Sequence, residues 1–222
     1  MRRMPHRQRG FNLIELAIVL GVAGMLAGAI WLGARAVAHH HNINRAVDQL
    51  QQIVENVRDA YTNAAILPDE DYILFTQRVA RKDVFPAETK LTPDADPKTC
   101  GLGAPCYFAH PWSSDGAGSI CGDGTICVSA SPVANAFGNV NPRYGITIML
   151  RNLPQAACID LGTKLLGVMD QVGLVGIGVD TGDAAIPGAI ATPMPPTPTW
   201  LAASCTSANA NRLYFAFRLN PS

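Results

Sequence analysis

Glu15 is the one formal charge in the 24 residues from Phe11 to Ala34. A carboxylate in so apolar a run is costly unless a cation pairs with it. Its chemistry is therefore that of half an ion pair. The ten residues before the run carry Arg2, Arg3, Arg7 and Arg9, no acid, and end in Gly10. The other reactive set is six cysteines at 100, 106, 121, 127, 158 and 205. No two form a C-x-x-C pair. An even set beyond an apolar segment reads as three disulfides in an oxidising compartment, with zinc the minor alternative.

The remaining candidates point away from catalysis. His39, His40 and His41 are adjacent, and successive helical positions diverge by about 100°, so a polar collar suits them better than a shared metal. His110 beside Pro111 and the turn Gly122-Asp123-Gly124 read as loop elements. Asp115 and Asp123 are two acids on a Gly-rich stretch, a weak signal for a calcium site and the minor alternative there. No G-x-S-x-G elbow, P-loop or H-E-x-x-H occurs. The expectation is no enzyme, no cofactor and no metal. The chain has 17 basic and 17 acidic residues, and without the four leading arginines 13 remain against 17, a net charge of −4. That balance disfavours nucleic acid as a partner.

Positioning these groups requires a long helix and a folded domain. Residues 11–34 make roughly 36 Å of helix, enough to span a bilayer. They contain Gly21, Gly24, Gly28 and Gly33. Gly24 and Gly28 form a G-x-x-x-G pair that admits close helix approach, while each glycine lowers helix propensity by about 1 kcal/mol relative to alanine. From Ile43 the apolar positions are Ile43, Val47, Leu50, Ile53, Val54, Val57 and Tyr61, the stripe of an amphipathic helix, with Arg45, Asp48, Gln51, Glu55 and Arg58 on the other faces. No proline falls between Phe11 and Asn63, so one helix of about 50 residues is expected. Because Gly10 precedes the apolar run, the order is not that of a secretory signal. Cleavage between Gly10 and Phe11 would leave the run on the mature protein, and the arginines would hold the leader on the cytoplasmic side.

After Pro68 short segments alternate with Pro, Gly, Asp and Ser. Residues 72–79 suit a short helix or strand, and residues 83–124 are mostly loop. Strands are expected at 125–131 and 144–150. A helix is expected over 153–172, with Pro154 in its first turn and Ala157, Leu161, Leu165 and Val168 on one side. Residues 181–199, rich in Pro, Gly, Thr and Ala, form a surface excursion. Residues 211–219 alternate as a half-buried strand with Leu213, Phe215, Phe217 and Leu219 inward. The fold class is α+β, a long N-terminal helix on an antiparallel sheet.

The basic leader, Gly10, the hexapeptide Phe11-Asn12-Leu13-Ile14-Glu15-Leu16 and the apolar run resemble the class III signal of type IV pilins and pseudopilins. That resemblance implies a prepilin peptidase cutting after Gly10 and methylating the new amine on Phe11, with Glu15 pairing that amine between subunits. A second stretch, YGITIMLRNLPQAACIDLGTKLLG at 144–167, resembles the strand-to-helix segment of the type IVb pilins of conjugative plasmids and enteric bacteria. Pro111-Trp112 with the strand at 126–128 is similar to the same subclass. By this resemblance Cys158 and Cys205 close the C-terminal region. Cys100, Cys106, Cys121 and Cys127 then pair either locally (100–106, 121–127) or nested (100–127, 106–121).

The family's domain plan places a leader at 1–10, a transmembrane or filament-core helix at 11–34, with Gly21, Gly24 and Gly28 available for helix packing, its amphipathic continuation at 35–64, and a periplasmic, later surface-exposed domain at 65–222. The implied role is a structural subunit of a type IV pilus serving adhesion, aggregation or conjugation. Its implied partners are its own copies in a helical polymer, prepilin peptidase, the inner-membrane assembly platform, the inner membrane before assembly, and a host or neighbouring-cell surface. The implied location is a single-pass inner-membrane protein of a Gram-negative envelope, N-terminus cytoplasmic, and then an extracellular filament. Three alternatives stand beside it. A minor tip-located pilin acting as adhesin or DNA receptor would use the Cys-rich and Pro-rich insertions. A pseudopilin of a type II secretion system usually lacks a C-terminal disulfide. A membrane-anchored periplasmic enzyme would have no need of Glu15.

Overall fold

A computed structural model describes residues 13–62, 67, 70–89, 100, 108–113, 120–130, 145–167, 173–180, 189–190, 196–208 and 210–219. The chain divides into two units, Met1–His41 and Asn42–Ser222. The proline-free stretch forms one helix, α1 (Leu13–Ala60), of 48 residues. In the first unit, all described residues up to Ala38 are exposed. In the second unit the stripe turns inward: Ile43, Ala46, Val47, Leu50, Ile53, Val54 and Val57 are buried, as a 3.6-residue period requires of a helix with one covered face.

The second unit carries α2 (Tyr72–Arg81), a 3-10 turn (Ala87–Thr89), β1 (Ile126–Ser129), β2 (Gly145–Leu153), α3 (Gln155–Leu166), β3 (Leu174–Asp180), β4 (Ala189–Ile190), α4 (Pro198–Ser204) and β5 (Asn211–Arg218). The strands form one antiparallel sheet in the order β1-β2-β5-β3-β4. The architecture is α+β: a long N-terminal helix and an antiparallel sheet, with disulfides in the C-terminal region. Ile126, Val128, Ile146, Ile148, Leu150, Leu213, Phe215 and Phe217 from the sheet share one core with the buried stripe of α1 and with Phe75, Val79, Leu161, Leu165 and Leu201.

Four segments differ from the sequence expectation. The helix expected from residue 153 begins at Gln155, because β2 runs on through a bulge. Its register slips between Leu150 and Leu153, and Asn152 takes φ 63°, a left-handed conformation that asparagine tolerates. The bulge brings Leu153 into the core, where Asn211 Nδ2 donates to its carbonyl at 3.0 Å. Pro154 then caps α3 with φ −58°. The helix ends at Leu166, and residues 168–172, Val168 included, lie outside the described residues. The final strand is not half-buried: Arg212, Tyr214 and Ala216 are covered as well as Leu213, Phe215 and Phe217. β5 is paired along both edges, with β2 and β3, and residues on both of its faces are buried. On the second face Arg212 lies 3.7 Å from Asp180, and burial, then Asp180, pushes the Tyr214 phenol upward.

The third difference is β3 itself, absent from the expected elements. Gly176 and Gly178 interrupt its apolar alternation, and glycine is poor in strands by propensity. α4 falls in the stretch read as excursion. Thr197 caps it by accepting from Trp200 N at 3.1 Å, and Pro198 occupies its first turn. The rest of the expected 181–199 excursion, apart from β4 and residues 196–199, lies outside the described residues.

Two disulfides join described residues. Cys121–Cys127 closes the turn into β1, and Cys158–Cys205 ties α3 to the end of α4. The second spans a sequence separation of 47, a loop whose closure constrains the unfolded chain by roughly 4 kcal/mol. The two helices it joins are close-packed, since a Cβ on Gly162 would come 2.8 Å from Leu201 Cδ2. Cys100 is also disulfide-bonded, and Cys106 lies outside the described residues.

Candidate functional site

Gly10 and Phe11 lie outside the described residues. Glu15 stands in the first turn of α1, where the helix dipole favours a carboxylate by several tenths of a kcal/mol. Its surroundings are apolar and uncovered: Leu13 is 83 % exposed, Ile14 68 % and Leu16 49 %. Among the described residues no cation stands at ion-pair distance from it. The described part of the site is thus an acid at the head of a bare apolar cylinder.

The cylinder has a smooth side. Gly21, Gly24 and Gly28 recur at helical spacing on one face, and a Cβ at any of them, or at Gly33, would meet nothing within 4 Å. Such a face lets another helix backbone come close in an apolar medium. The run free of basic residues ends at Arg35, whose guanidinium sits 5.2 Å from the Trp31 indole centre. That pairing of an aromatic with a long cation is typical of an apolar–aqueous boundary. α1 is long and apolar enough to cross a membrane. The histidines follow: His39 is half-buried, and His40 and His41 are exposed. No group of three metal-binding side chains occurs among the described residues.

In the second unit the later half of α1 is held by main-chain carbonyls. Asn56 Nδ2 donates to Val84 O at 2.8 Å, Arg45 to Glu88 O at 3.4 Å and Arg58 Nη2 to Arg218 O at 2.8 Å. Burial pulls the Arg58 guanidinium below its ordinary value, so this bond offsets part of a desolvation cost. Gly173 takes φ 69°, so the entry to β3 favours glycine by conformation, and a Cβ there would come 2.7 Å from Nη2 at the end of the Arg58 side chain. At the C-terminal end of α1, Lys82 Nζ donates to Ala60 O at 3.2 Å and lies 4.4 Å from the Tyr61 ring centre, a cation where the helix dipole favours one. Arg78 pairs with Glu70 nearby, and that hydrogen bond raises the guanidinium further.

Arg45, Arg58 and Asn56 as clamps went unrecognised in the sequence. Their partners are carbonyls tens of residues away, which no side-chain pattern encodes. His110 is buried, with Nε2 donating to Arg151 O at 2.7 Å and Nδ1 accepting from Trp112 N at 3.2 Å. Burial lowers its pKa to about 4. Both ring nitrogens are taken by the main chain, so the imidazole fastens its loop to β2. Asp123 lies 3.7 Å from Arg151, which also donates to Cys121 O at 2.7 Å. Asp115 lies outside the described residues.

No family model matches the chain, and no curated protein sequence matches it. Among solved structures the chain is similar to the type IV b pilin from Salmonella typhi, at 18 % identity and a TM-score of 0.49, covering 78 % of this chain and 97 % of that one. It is also similar to TcpA, a type IV pilin from Vibrio cholerae El Tor biotype, at 13 % identity and a TM-score of 0.44, covering 79 % and 98 %.

Proposed function

We propose that this chain is a structural subunit of a type IV pilus of the b subclass. Prepilin peptidase cuts it after Gly10 and methylates Phe11. Residues 1–10 are its leader, 11–34 its membrane and filament-core helix, 35–64 the continuation of that helix, and 65–222 its surface domain. It waits in the inner membrane of a Gram-negative envelope, N-terminus cytoplasmic, and an assembly platform draws it into a helical homopolymer for adhesion, aggregation or conjugation. One observation carries the proposal: a helix whose first half is bare, apolar and glycine-grooved, with a single acid at its head, and whose second half is buried. A plain membrane anchor has no use for the acid. A polymer does, because Glu15 of one subunit meets the Phe11 amine of its neighbour in a low-dielectric core, and an unmatched charge there costs about 3–5 kcal/mol.

Immunogold electron microscopy of cells expressing the tagged chain tests this. Label along fibres is expected. Label confined to the fibre tip would make the chain a minor pilin acting as adhesin or DNA receptor, and label only at the envelope would end the filament proposal in favour of a secretion pseudopilin.

A further inference from the structure

Within the first unit α1 passes from its bare apolar run into a ring of basic and hydrogen-bonding side chains. Residues 13–34 make about 33 Å of helix, close to the roughly 30 Å of hydrocarbon in a bilayer. Arg35, His39, His40 and His41 follow. Arg35, His40 and His41 are exposed, and His39 is half-buried. The four occupy about 9 Å of helix length, and the headgroup layer of one leaflet is about 5–8 Å thick. At about 100° per residue they point to roughly 0°, 40°, 140° and 240° around the axis. The ring therefore meets headgroups on every side of the helix, at one depth.

The charge in this ring is of one sign. No acid occurs between Glu15 and Asp48, and among the described residues no carboxylate lies at ion-pair distance from Arg35. The Arg35 guanidinium lies 5.2 Å from the Trp31 ring centre, and a guanidinium held over an indole keeps N–H groups for a second partner. Each imidazole offers at least one N–H more. Such a set suits phosphate oxygens, which the guanidinium fork grips two at a time. A zwitterionic headgroup would bring an ammonium as well, and the ring has no acid to receive it. A headgroup of net negative charge needs none. We propose that Arg35, with His39, His40 and His41 around it, binds the headgroup of an anionic phospholipid where the apolar run ends away from the leader. This inference rests on the membrane stage of the proposed function and not on the filament.

The test uses the full chain in vesicles of phosphatidylcholine with a minor share of phosphatidylglycerol, one of the two lipids carrying brominated acyl chains. Bromine quenches indole fluorescence on contact, so Trp31 reports the lipid beside Arg35, and Trp31→Phe should abolish the quenching. Phosphatidylglycerol is expected to be about fivefold enriched at Trp31 over its share of the vesicle. Arg35→Gln should remove most of that preference, and Arg35→Lys, which keeps the charge, should retain part of it. Inorganic phosphate, added against chloride at equal ionic strength, should leave the preference in place. Equal quenching by the two lipids, or a preference that survives Arg35→Gln in full, overturns the proposal alone. Loss of the preference to inorganic phosphate would make the ring a plain anion site and overturn the lipid assignment. Absence of quenching by either lipid would overturn the membrane reading of α1 together with the proposal.

Discussion

Leu26 and Leu50 belong to the same helix, yet one is 60 % exposed and the other 1 %. Covering a leucine side chain is worth about 1.5–3 kcal/mol. Along residues 43–60 the chain provides that cover itself, through the sheet, α2 and the carbonyl clamps on Arg45, Asn56 and Arg58. Along residues 13–38 the described residues provide none. An exposed apolar surface that long calls for a partner, which in the proposed function is lipid first and other copies later. One helix thus carries two unlike interfaces, one closed within the chain and one left open. The acid stands in the open one.

The sharpest way to break the comparison is to remove that acid. Glu15→Leu makes the open stretch more apolar, so membrane insertion and leader cleavage should persist. Assembly should fail, because the Phe11 amine is left in a filament core with no counter-charge, at about 3–5 kcal/mol per subunit. That penalty corresponds to a loss of filament yield of at least about 100-fold. Immunoblots of sheared filaments against processed protein retained in the membrane measure it. Normal filament yield would remove Glu15 from the assembly mechanism. Next in size, Leu50→Ala acts on the closed interface and should cost about 2–5 kcal/mol of stability, read by chemical unfolding of the full chain in detergent.

These two positions also mark what the sequence discloses. Glu15 stands out because a charge in an apolar run violates a composition rule, and Leu50 because it keeps a helical period; both signals are local. The long helix, the strand at residues 126–129 and the strand beginning at 145 were legible for the same reason. β3 was not, since Gly176 and Gly178 weaken strand propensity and its pairing with β5 is a long-range fact. The burial of Arg212 and Tyr214 was hidden too: alternation in β5 shows one apolar face, and the groups that meet its other face, Asp180 among them, lie far along the chain. The bulge at Asn152 needs the Asn211 contact to Leu153 O, 58 residues apart, which no window along the chain contains. Of the candidate site, the acid, the glycines and the end of the apolar run could be read directly. The carbonyl clamps could not, because every residue offers the same acceptor.

Acid should weaken the closed region through His110. Its pKa is about 4 in the folded chain against an ordinary value near 6.5. Between these values the unfolded chain binds a proton that the folded chain refuses, so stability rises with pH across the window. The contribution is whole above about pH 6.5 and falls by roughly 1.4 kcal/mol per pH unit below it, reaching about 3 kcal/mol near pH 4. His110→Gln keeps a donor for Arg151 O without a titrating ring. Unfolding free energies measured from pH 7 to pH 4 should lose about one proton's worth of slope in that variant. An unchanged slope would place the acid sensitivity elsewhere.

The smallest effect is the control for the whole comparison. Leu26→Ala removes the same atoms as Leu50→Ala, from a side chain that the chain leaves 60 % exposed. With no packed neighbours to lose and no cavity to leave, the domain should unfold within about 0.5 kcal/mol of wild type. Alanine and leucine are also both strong helix formers, so propensity adds little. The measurement is the same denaturant midpoint, taken beside Leu50→Ala under identical detergent. A loss above about 1 kcal/mol would mean that Leu26 belongs to the cooperative unit after all, and the open half of α1 would then be less independent of the domain than its exposure implies.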